Sequence, residues 1–410
     1  MLNAESIHEY LPDLIVHAVE PDRLLATRGL EVLQRHGGEA RWRPVIRLPG
    51  RRIPGPLGRL LRSGVRHLLP LDDGGFLAFS DGRIVAWDAA SSACRDLGAV
   101  RRGRGPLRQS ACQDPSGTVY FGEYWGNPSR EAVCLWQWRR EWPSPKPYYT
   151  FAAGRIRHIH AVQWDAAGSR LWVATGDRDH ESVIGWFEDS VRGPVLQAVA
   201  SGSQQARAVS LLFTPQAVFW GSDAGRDTEE TTNWICRWER GSAHYEAIAP
   251  LGAPAYYSTV DAAGRLYIST AVEGSCSETD RLARVWVSET GERWEELAVW
   301  VKDSWPMLFG YGVLSFPHGP QPAGRLYVAG HGVEGGPATW VLPVGEPPVS
   351  NLMGASGHPA SEEHAQNGAR RGLFLARSVA RRRALCASEE HAQNGARRAL
   401  CAYQELTREL

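Results

Sequence analysis

The residues of this 410-residue chain best suited to chemistry are His158, His160 and Asp177, which belong to one predicted β-hairpin. The segment Arg155 to Ser182 reads RIRHIHAVQWDAAGSRLWVATGDRDHES, two strands joined by the turn DAAG. Side chains two residues apart on a strand point to the same face, so the two imidazoles project together. The antiparallel return strand brings Asp177 back beside them. Two imidazoles and a carboxylate are a donor set that zinc or manganese accepts.

The hairpin is one of seven related units, each marked by a turn followed by a short apolar or aromatic strand. The seven copies are Asp22–Ala26, Gly75–Phe79, Gly117–Phe121, Ser169–Val173, Gln216–Trp220, Gly264–Ile268 and Gly324–Val328. Apolar segments before and after each copy add further strands, and about four antiparallel strands per unit predict an all-β fold, a β-propeller. We expect seven four-stranded blades over residues 1–345, with six blades as the alternative. The last unit lacks an outer strand, which residues around Ser6 to Leu11 are expected to supply.

Residues 346–410 have a different character. A Pro/Gly/Ser-rich linker is followed by two identical copies of ASEEHAQNGARR, at Ala360–Arg371 and Ala387–Arg398. We interpret this C-terminal segment as a low-complexity tail, disordered or partly helical, without a catalytic role.

Composition and charge exclude several classes of function. Lys+Arg and Asp+Glu both number 45, so the net charge gives no reason to expect nucleic acid as a partner. The N-terminal residues show neither a signal peptide nor a membrane span, and we expect no membrane partner. The seven cysteines are scattered without a CxxC pair, which favours reduced thiols and a cytoplasmic location.

Antiparallel pairing brings the start of each innermost strand and the end of each second strand to the same mouth of the propeller channel. Polar residues gather at these positions, and we predict that they form a site for a polar small molecule or glycan. The ligand-binding candidates are His67, Arg108, Glu123, His158, His160, Arg207, Asp223, Tyr256 and His331. The catalytic candidates are Asp177, Glu273, Tyr257 and Tyr311. Arg108 and Arg207 are expected to grip a carboxylate, sulfate or phosphate group.

Three chemistries fit these residues and stay open at this point. His158, His160 and His331 with Asp177 or Glu123 form a candidate divalent-metal site, so a metal is a possible cofactor although no metal ligand is assigned. A tyrosine beside Glu273, with Asp177 as acid and an arginine clamp, matches a glycoside hydrolase. A histidine–tyrosine pair with an arginine matches a polysaccharide lyase. The alternative to all three is a non-catalytic scaffold whose blades bind another protein.

The chain also resembles the sialidase-like superfamily of BNR-repeat propellers, and within it an uncharacterised bacterial group. The resemblance rests on YFGEYWGNPSRE (Tyr120–Glu131), on the His158–Asp177 hairpin, and on two turns similar to the Asp box, VSETGERWEEL (Val287–Leu297) and RHGGEARWRPV (Arg35–Val45). In that family the Asp box braces the outer hairpin of a blade and is structural. The resemblance implies the propeller fold. It does not imply sialidase activity, because the three-arginine carboxylate cluster of sialidases is not evident.

Overall fold

The computed structural model describes residues 7–50 and 64–345. Within these ranges, 28 strands form the seven four-stranded antiparallel blades of a β-propeller, and pairing between one strand of the sixth blade and one of the seventh joins those two blades into an eight-stranded sheet. The fold class predicted from the sequence is therefore confirmed, with seven blades rather than six. The C-terminal tail, predicted over 346–410, lies outside the described residues, and its predicted boundary and character stay predictions.

The strands follow one another from the channel outward in each blade. Blade 1 contains β2(Ile15–Val19), β3(Arg23–Arg28), β4(Glu31–His36) and β5(Arg43–Arg47). Blade 2 contains β6(Val65–Pro70), β7(Phe76–Ser80), β8(Arg83–Asp88) and β9(Ala93–Ala99). Blade 3 contains β10(Ala111–Gln113), β11(Val119–Gly122), β12(Val133–Trp138) and β13(Lys146–Phe151). Blade 4 contains β14(His158–Asp165), β15(Arg170–Gly176), β16(Val183–Ser190) and β17(Gly193–Ser201).

The remaining three blades continue this order, and the seventh borrows its outer strand from the N-terminus. Blade 5 contains β18(Leu212–Phe213), β19(Ala217–Gly221), β20(Asn233–Glu239) and β21(Glu246–Leu251). Blade 6 contains β22(Ala255–Val260), β23(Leu266–Val272), β24(Leu282–Ser288) and β25(Glu295–Val301). Blade 7 contains β26(Gly312–Ser315), β27(Arg325–His331), β28(Ala338–Pro343) and β1(Glu9–Pro12).

The seven repeated phrases of the sequence coincide with the second strands of the seven blades. In blades 3, 4 and 6 a buried aspartate, Asp114, Asp165 or Asp261, closes the turn that precedes this strand. Asp114 accepts the backbone N–H of Ser116 and Thr118, both at 2.9 Å. Asp261 accepts the N–H of Ala263 and Arg265 in the same way. Aspartate favours such turns because its carboxylate can pair with backbone donors two and four residues on.

The N-terminal strand closes the ring as predicted. β1 pairs antiparallel with β28, with Glu9 opposite Val341 and Pro12 opposite Ala338. The ring of Tyr10 packs 5.7 Å from that of Trp340, and its hydroxyl donates to the carbonyl of Gly335 at 2.7 Å. Glu9 also pairs with Arg35 of blade 1. The first strand therefore ties the last blade to the first.

The core lies between the faces of successive blades. Trp172 of blade 4 is fully buried and packs against Trp238 of blade 5, with ring centroids 5.8 Å apart. A buried indole removes on the order of 200 Å² from water, worth about 5 kcal/mol. Each sheet thus buries its apolar faces only because a neighbouring blade covers them, which fixes the channel residues in place. No helix in the described part of the chain is long and apolar enough to cross a membrane.

Candidate functional site

Irregularities in the inner strands deliver polar side chains to the channel. In β14 the register shifts between Ile159 and Ala161, so that His160 is the extra residue of a bulge. The same shift occurs in β2 at His17 and in β22 at Tyr256 and Tyr257. Bulges redirect side chains that regular pleating would aim elsewhere. The channel is therefore lined by residues that break the strand pattern.

His158, His160 and Asp177 meet in a buried cluster, which we call the triad. Because His158 lies opposite Gly176 in the β14–β15 register, Asp177 follows directly beside it. Nε2 of His158 lies 3.1 Å from Oδ1 of Asp177, Nε2 of His160 lies 3.2 Å from the same oxygen, and the two nitrogens are 3.0 Å apart. Burial lowers the pKa of His160 to about 4, so this ring is neutral near pH 7. Burial opposes ionisation of Asp177, but contacts with the two rings outweigh it and keep the pKa of Asp177 below its usual value.

A surrounding layer orients the triad. Nδ1 of His158 lies 2.8 Å from the carbonyl oxygen of Trp125, to which it donates. The ring of Tyr124 lies against that of His158, with centroids 4.2 Å apart. Arg157 donates to Oδ2 of Asp177 at 2.7 Å, the oxygen that the histidines do not contact. The ring of His158 and the carboxylate of Asp177 are thus each held in place by residues outside the triad.

Arg207, on the next blade, is the centre of an acidic cluster. Its Nη1 donates to Oδ1 of Asp227 at 2.8 Å, and its Nε lies 3.3 Å from Oδ2 of Asp223. The backbone N–H of Asp223 donates to the carbonyl of Arg207 at 2.8 Å, which fixes the two residues opposite each other. Burial lowers the pKa of Arg207, but the charges of Asp223, Asp177 and Asp227 outweigh it, so the pKa is raised. The charge of Arg207 is therefore offset by carboxylates of the protein, and its predicted role in binding an anion stays a prediction.

Glu273 extends the acidic cluster to blade 6. Tyr256 donates to Oε2 of Glu273 at 2.7 Å, and the backbone N–H of Arg226 donates to Oε1 at 3.2 Å. Burial raises the pKa of Glu273, and burial together with the nearby charge of Glu273 raises the pKa of Asp223 well above its usual value. Like charges close together in a buried place cannot both ionise freely. Asp223 and Glu273 therefore retain a proton to higher pH than ordinary carboxyls.

Two glycines allow the side chains of the triad and of the acidic cluster to lie this close to the backbone. A Cβ atom at Gly176 would lie 2.6 Å from Cε1 of His160 and 3.2 Å from Cγ of Arg207. A Cβ atom at Gly225 would overlap Oε1 of Glu273. Both positions need the absence of a side chain for close approach, not for an unusual backbone angle.

Two further site candidates, His67 and Arg108, lie in a second, basic cluster of the channel. His67 and His318 face each other with their Nε2 atoms 2.5 Å apart. Nη1 of Arg108 lies 3.4 Å from Nδ1 of His17. Tyr257 faces Arg108 as well, and burial is the main reason for its raised pKa. Burial lowers the pKa of His67 well below its usual value and that of His318 to about 4, and the charge of Arg108 adds to both shifts.

The carboxylate of Glu123, at the matching position of blade 3, is not bonded to the triad, although its backbone carbonyl accepts the N–H of Ile159 at 3.0 Å. Arg101 donates to both its carboxylate oxygens, at 2.7 and 2.9 Å, and Trp136 and the backbone of Cys134 donate to it too. The carboxylate of Glu123 therefore stabilises blade 3.

Two more of the predicted site residues have other surroundings. The guanidinium of Arg226 lies over the ring of Tyr311, 5.7 Å from its centroid, and His331 is exposed at the end of β27.

Sequence reasoning missed several residues of the site. Tyr124, Arg157 and Asp227 were not among the candidates, and neither was His318. Arg157 directly precedes the first histidine, and Asp227 follows the strand end that carries Asp223, so adjacency was an available signal. His318 lies after β26 and forms a parallel bridge with Ala18 of blade 1. No motif in its sequence predicts this contact.

Comparison with known proteins supports the fold. No family model and no curated protein matches the chain. A solved chain of the mitotic checkpoint complex is similar with a TM-score of 0.53 and 9% identity, over 84% of this chain and 93% of that one. A puromycin-hydrolyzing peptidase of Mycobacterium tuberculosis has a TM-score of 0.49 and 16% identity, over 80% of this chain and 51% of that one. The extracellular domain of a hybrid two component system from B. thetaiotaomicron has a TM-score of 0.48 and 11% identity, over 83% of this chain and 39% of that one.

Proposed function

We propose that the channel mouth binds a neutral, polyhydroxylated small molecule of the carbohydrate class. The observation that carries the proposal is the neutralisation of Arg207 by Asp177, Asp223 and Asp227. With Glu273 nearby, carboxylates outnumber the guanidinium groups of Arg207 and Arg157 at this place. Such a site offers polar oxygens to hydroxyl groups, and Arg207, already paired with carboxylates, has little attraction for a ligand that carries its own carboxylate.

The burial of these groups suits ligand recognition. Arg207 is 7% exposed in its side chain, whereas the side chain of Asp227 is 40% exposed and lies at the rim. Tyr124 and Tyr256 are half-buried beside the carboxylates and present aromatic rings to the same place. Carboxylates for hydroxyl groups and aromatic rings for apolar sugar faces are the pairing that carbohydrate recognition needs.

We further propose that the site hydrolyses a glycosidic bond, with Asp223 and Glu273 as the carboxyl pair. Hydrolysis needs one carboxyl that keeps its proton to protonate the leaving group and a second that acts as base or nucleophile. Burial raises the pKa of both groups, and the charge of Glu273 adds to the rise for Asp223, which supports one of them as the proton donor. The lyase alternative is less well supported, because it needs a partner for a uronate carboxylate, and Arg207 is already paired with carboxylates of the protein.

A relationship with sialidase-like BNR propellers is part of the proposal. Its support is the turn of Val287–Leu297, which joins β24 to β25 in the outer hairpin of blade 6. There Trp294 donates through Nε1 to the carbonyl of Gly291 at 3.1 Å, and Ser288 accepts the N–H of Gly291. The turn braces the hairpin as an Asp box would.

The test is a ligand panel read by thermal shift and calorimetry. Neutral mono- and oligosaccharides should stabilise the protein, and uronates and sialic acid should not. Asp223→Asn and Glu273→Gln should abolish hydrolysis of aryl glycosides, whereas Glu123→Gln should retain it, since that carboxylate serves its own blade. Stabilisation by acidic sugars alone, or unchanged hydrolysis in Asp223→Asn, would overturn the proposal. Absence of any sugar effect would favour the scaffold hypothesis, in which the blades bind a protein.

A further inference from the structure

We infer that the triad of His158, His160 and Asp177 is a binding site for one divalent transition-metal ion in six-coordinate geometry, of the Mn²⁺ or Fe²⁺ class. This inference goes beyond the proposed sugar site and does not depend on it. It rests on three donor atoms of suitable type that converge on one point, on their spacing, and on the way their neighbours hold them.

The spacing of the donor atoms fits a metal. Ligands about 2.1 to 2.2 Å from a metal are about 3.0 to 3.1 Å apart when at right angles and about 3.4 to 3.6 Å apart in a tetrahedron. The three separations within the triad are 3.0, 3.1 and 3.2 Å. They match one face of an octahedron. Two histidines and a carboxylate on one face leave three positions open, an arrangement typical of iron-class sites.

The hydrogen bonds around the triad bring its acceptor atoms together. Because Nδ1 of His158 donates to Trp125, the neutral form of that ring carries its lone pair at Nε2. That lone pair faces Oδ1 of Asp177, also an acceptor, at 3.1 Å. A proton on Nε2 of His160 can satisfy only one of these two acceptors. A cation at the centre satisfies all three atoms at once.

The neighbours of the triad have the roles that metal ligands require. A carbonyl on the far nitrogen of a ligating histidine fixes its tautomer, as Trp125 does for His158. The free oxygen of a ligating carboxylate is held by a donor, as Arg157 holds Asp177. Arg207 has a counter-ion of its own in Asp227, at 2.8 Å, which reduces its repulsion of a dication.

The other histidine pair of the channel gives the contrast. His67 and His318 also bring two Nε2 atoms together, but the charged group beside them is Arg108. Among the described residues, no group of three donors that could hold a metal includes either of them. Two imidazoles beside a guanidinium repel a cation, whereas two imidazoles beside a carboxylate attract it. His67 therefore offers a matched control in the same channel.

The experiment titrates chelator-treated full-length protein with Mn²⁺ and follows free Mn²⁺ by electron paramagnetic resonance, without any sugar present. Wild type and His67→Gln should bind one ion per chain, and His160→Gln and Asp177→Asn should each weaken binding at least 100-fold. Circular dichroism verifies that each variant is folded. Co²⁺ bound to the wild type should give the weak absorption of six-coordinate cobalt, a readout that needs no variant.

Each alternative outcome would overturn the inference. These outcomes are no stoichiometric binding by the wild type, equal binding by His160→Gln and Asp177→Asn, or the intense absorption of tetrahedral cobalt. The Asp223→Asn variant should still bind the metal ion but should no longer hydrolyse glycosides. Failure of the metal inference can therefore be distinguished from failure of the proposed sugar site.

Discussion

Arg207 holds Asp177 at two points across the boundary between neighbouring blades. Its Nη1 donates to the backbone carbonyl of Asp177 at 3.1 Å, and its Nη2 lies 3.6 Å from Oδ1. Asp177 belongs to the triad, and Arg207 is the centre of the acidic cluster. The two parts of the mouth are therefore joined through a single ion pair, and a change at either side is felt at the other.

Replacing Arg207 by methionine should strongly destabilise the protein. The substitution keeps much of the volume but leaves Asp177, Asp223 and Asp227 without their shared cation. Removal of one partner from a buried ion pair costs about 3 to 5 kcal/mol. Urea unfolding at pH 7 measures the loss, which should shrink at acidic pH as the carboxyls take up protons. Arg207→Lys keeps the charge and should cost less, and equal losses in the two variants would contradict the charge-based explanation.

Acid should weaken the fold through His318. Its pKa is lowered from 6.5 to about 4, mainly by burial and further by the charge of Arg108. The groups that face it are His67, His17 and Arg108. Because the unfolded chain binds the proton more readily, the free energy of unfolding should fall as pH drops from about 6.5 to 4, by at most about 3 kcal/mol for this residue.

The variant His318→Asn tests that dependence. It removes the titrating group but keeps a polar side chain, so its unfolding free energy should fall less steeply than that of the wild type between pH 6.5 and pH 4. Above pH 6.5 the two pH profiles should run parallel. Parallel profiles at acidic pH as well would show that His318 contributes nothing to acid sensitivity.

The fold was predictable from the sequence because its signals are local and repeated. Turn aspartates such as Asp114 and Asp261 mark the same point in several blades, and the apolar strands around them keep an even spacing. The meeting of His158, His160 and Asp177 was predictable for the same reason, since one hairpin carries all three. Their roles as ligands, like those of the other site candidates, stay predictions.

What the sequence could not give was contact between blades and the course of irregular segments. The neutralisation of Arg207 needs Asp227 from a loop and Asp177 from another blade, so the residues around Arg207 do not indicate these partners, and its role in binding an anion stays a prediction. His318 reaches the channel through a segment without a strand pattern. Glu123 and Asp177 occupy matching positions, yet Arg101 reaches only the former, a difference set by long side chains rather than by register.

Asp165 should contribute more to stability than the equivalent turn residue Asp114. Both close a turn, but Asp165 also accepts two hydrogen bonds from Arg240 of the next blade, at 2.6 and 2.9 Å. Asp165 is fully buried and Arg240 partly buried, so Asp165→Asn removes the charge from two hydrogen bonds between the blades and should cost about 2 to 3 kcal/mol. Asp114→Asn should cost about 1 kcal/mol, the usual value of a lost hydrogen bond. Equal losses in urea unfolding would show that the contact between blades adds nothing.

Deletion of residues 1–12 should open the ring. β28 would then present its unpaired backbone groups, and the contacts of Tyr10 with Trp340 and Gly335 would be lost. An exposed strand edge invites pairing with a second chain, so we expect a lower melting temperature and concentration-dependent aggregation. The double variant Glu9→Gln, Arg35→Gln is the matched control. It removes the ion pair between the first and last blades but keeps β1, and an exposed or half-buried pair is worth about 1 kcal/mol or less. If the deletion variant aggregates and the double variant does not, closure of the ring depends on the pairing of β1 with β28. A deletion variant that stays monomeric and has the melting temperature of the wild type would contradict this explanation.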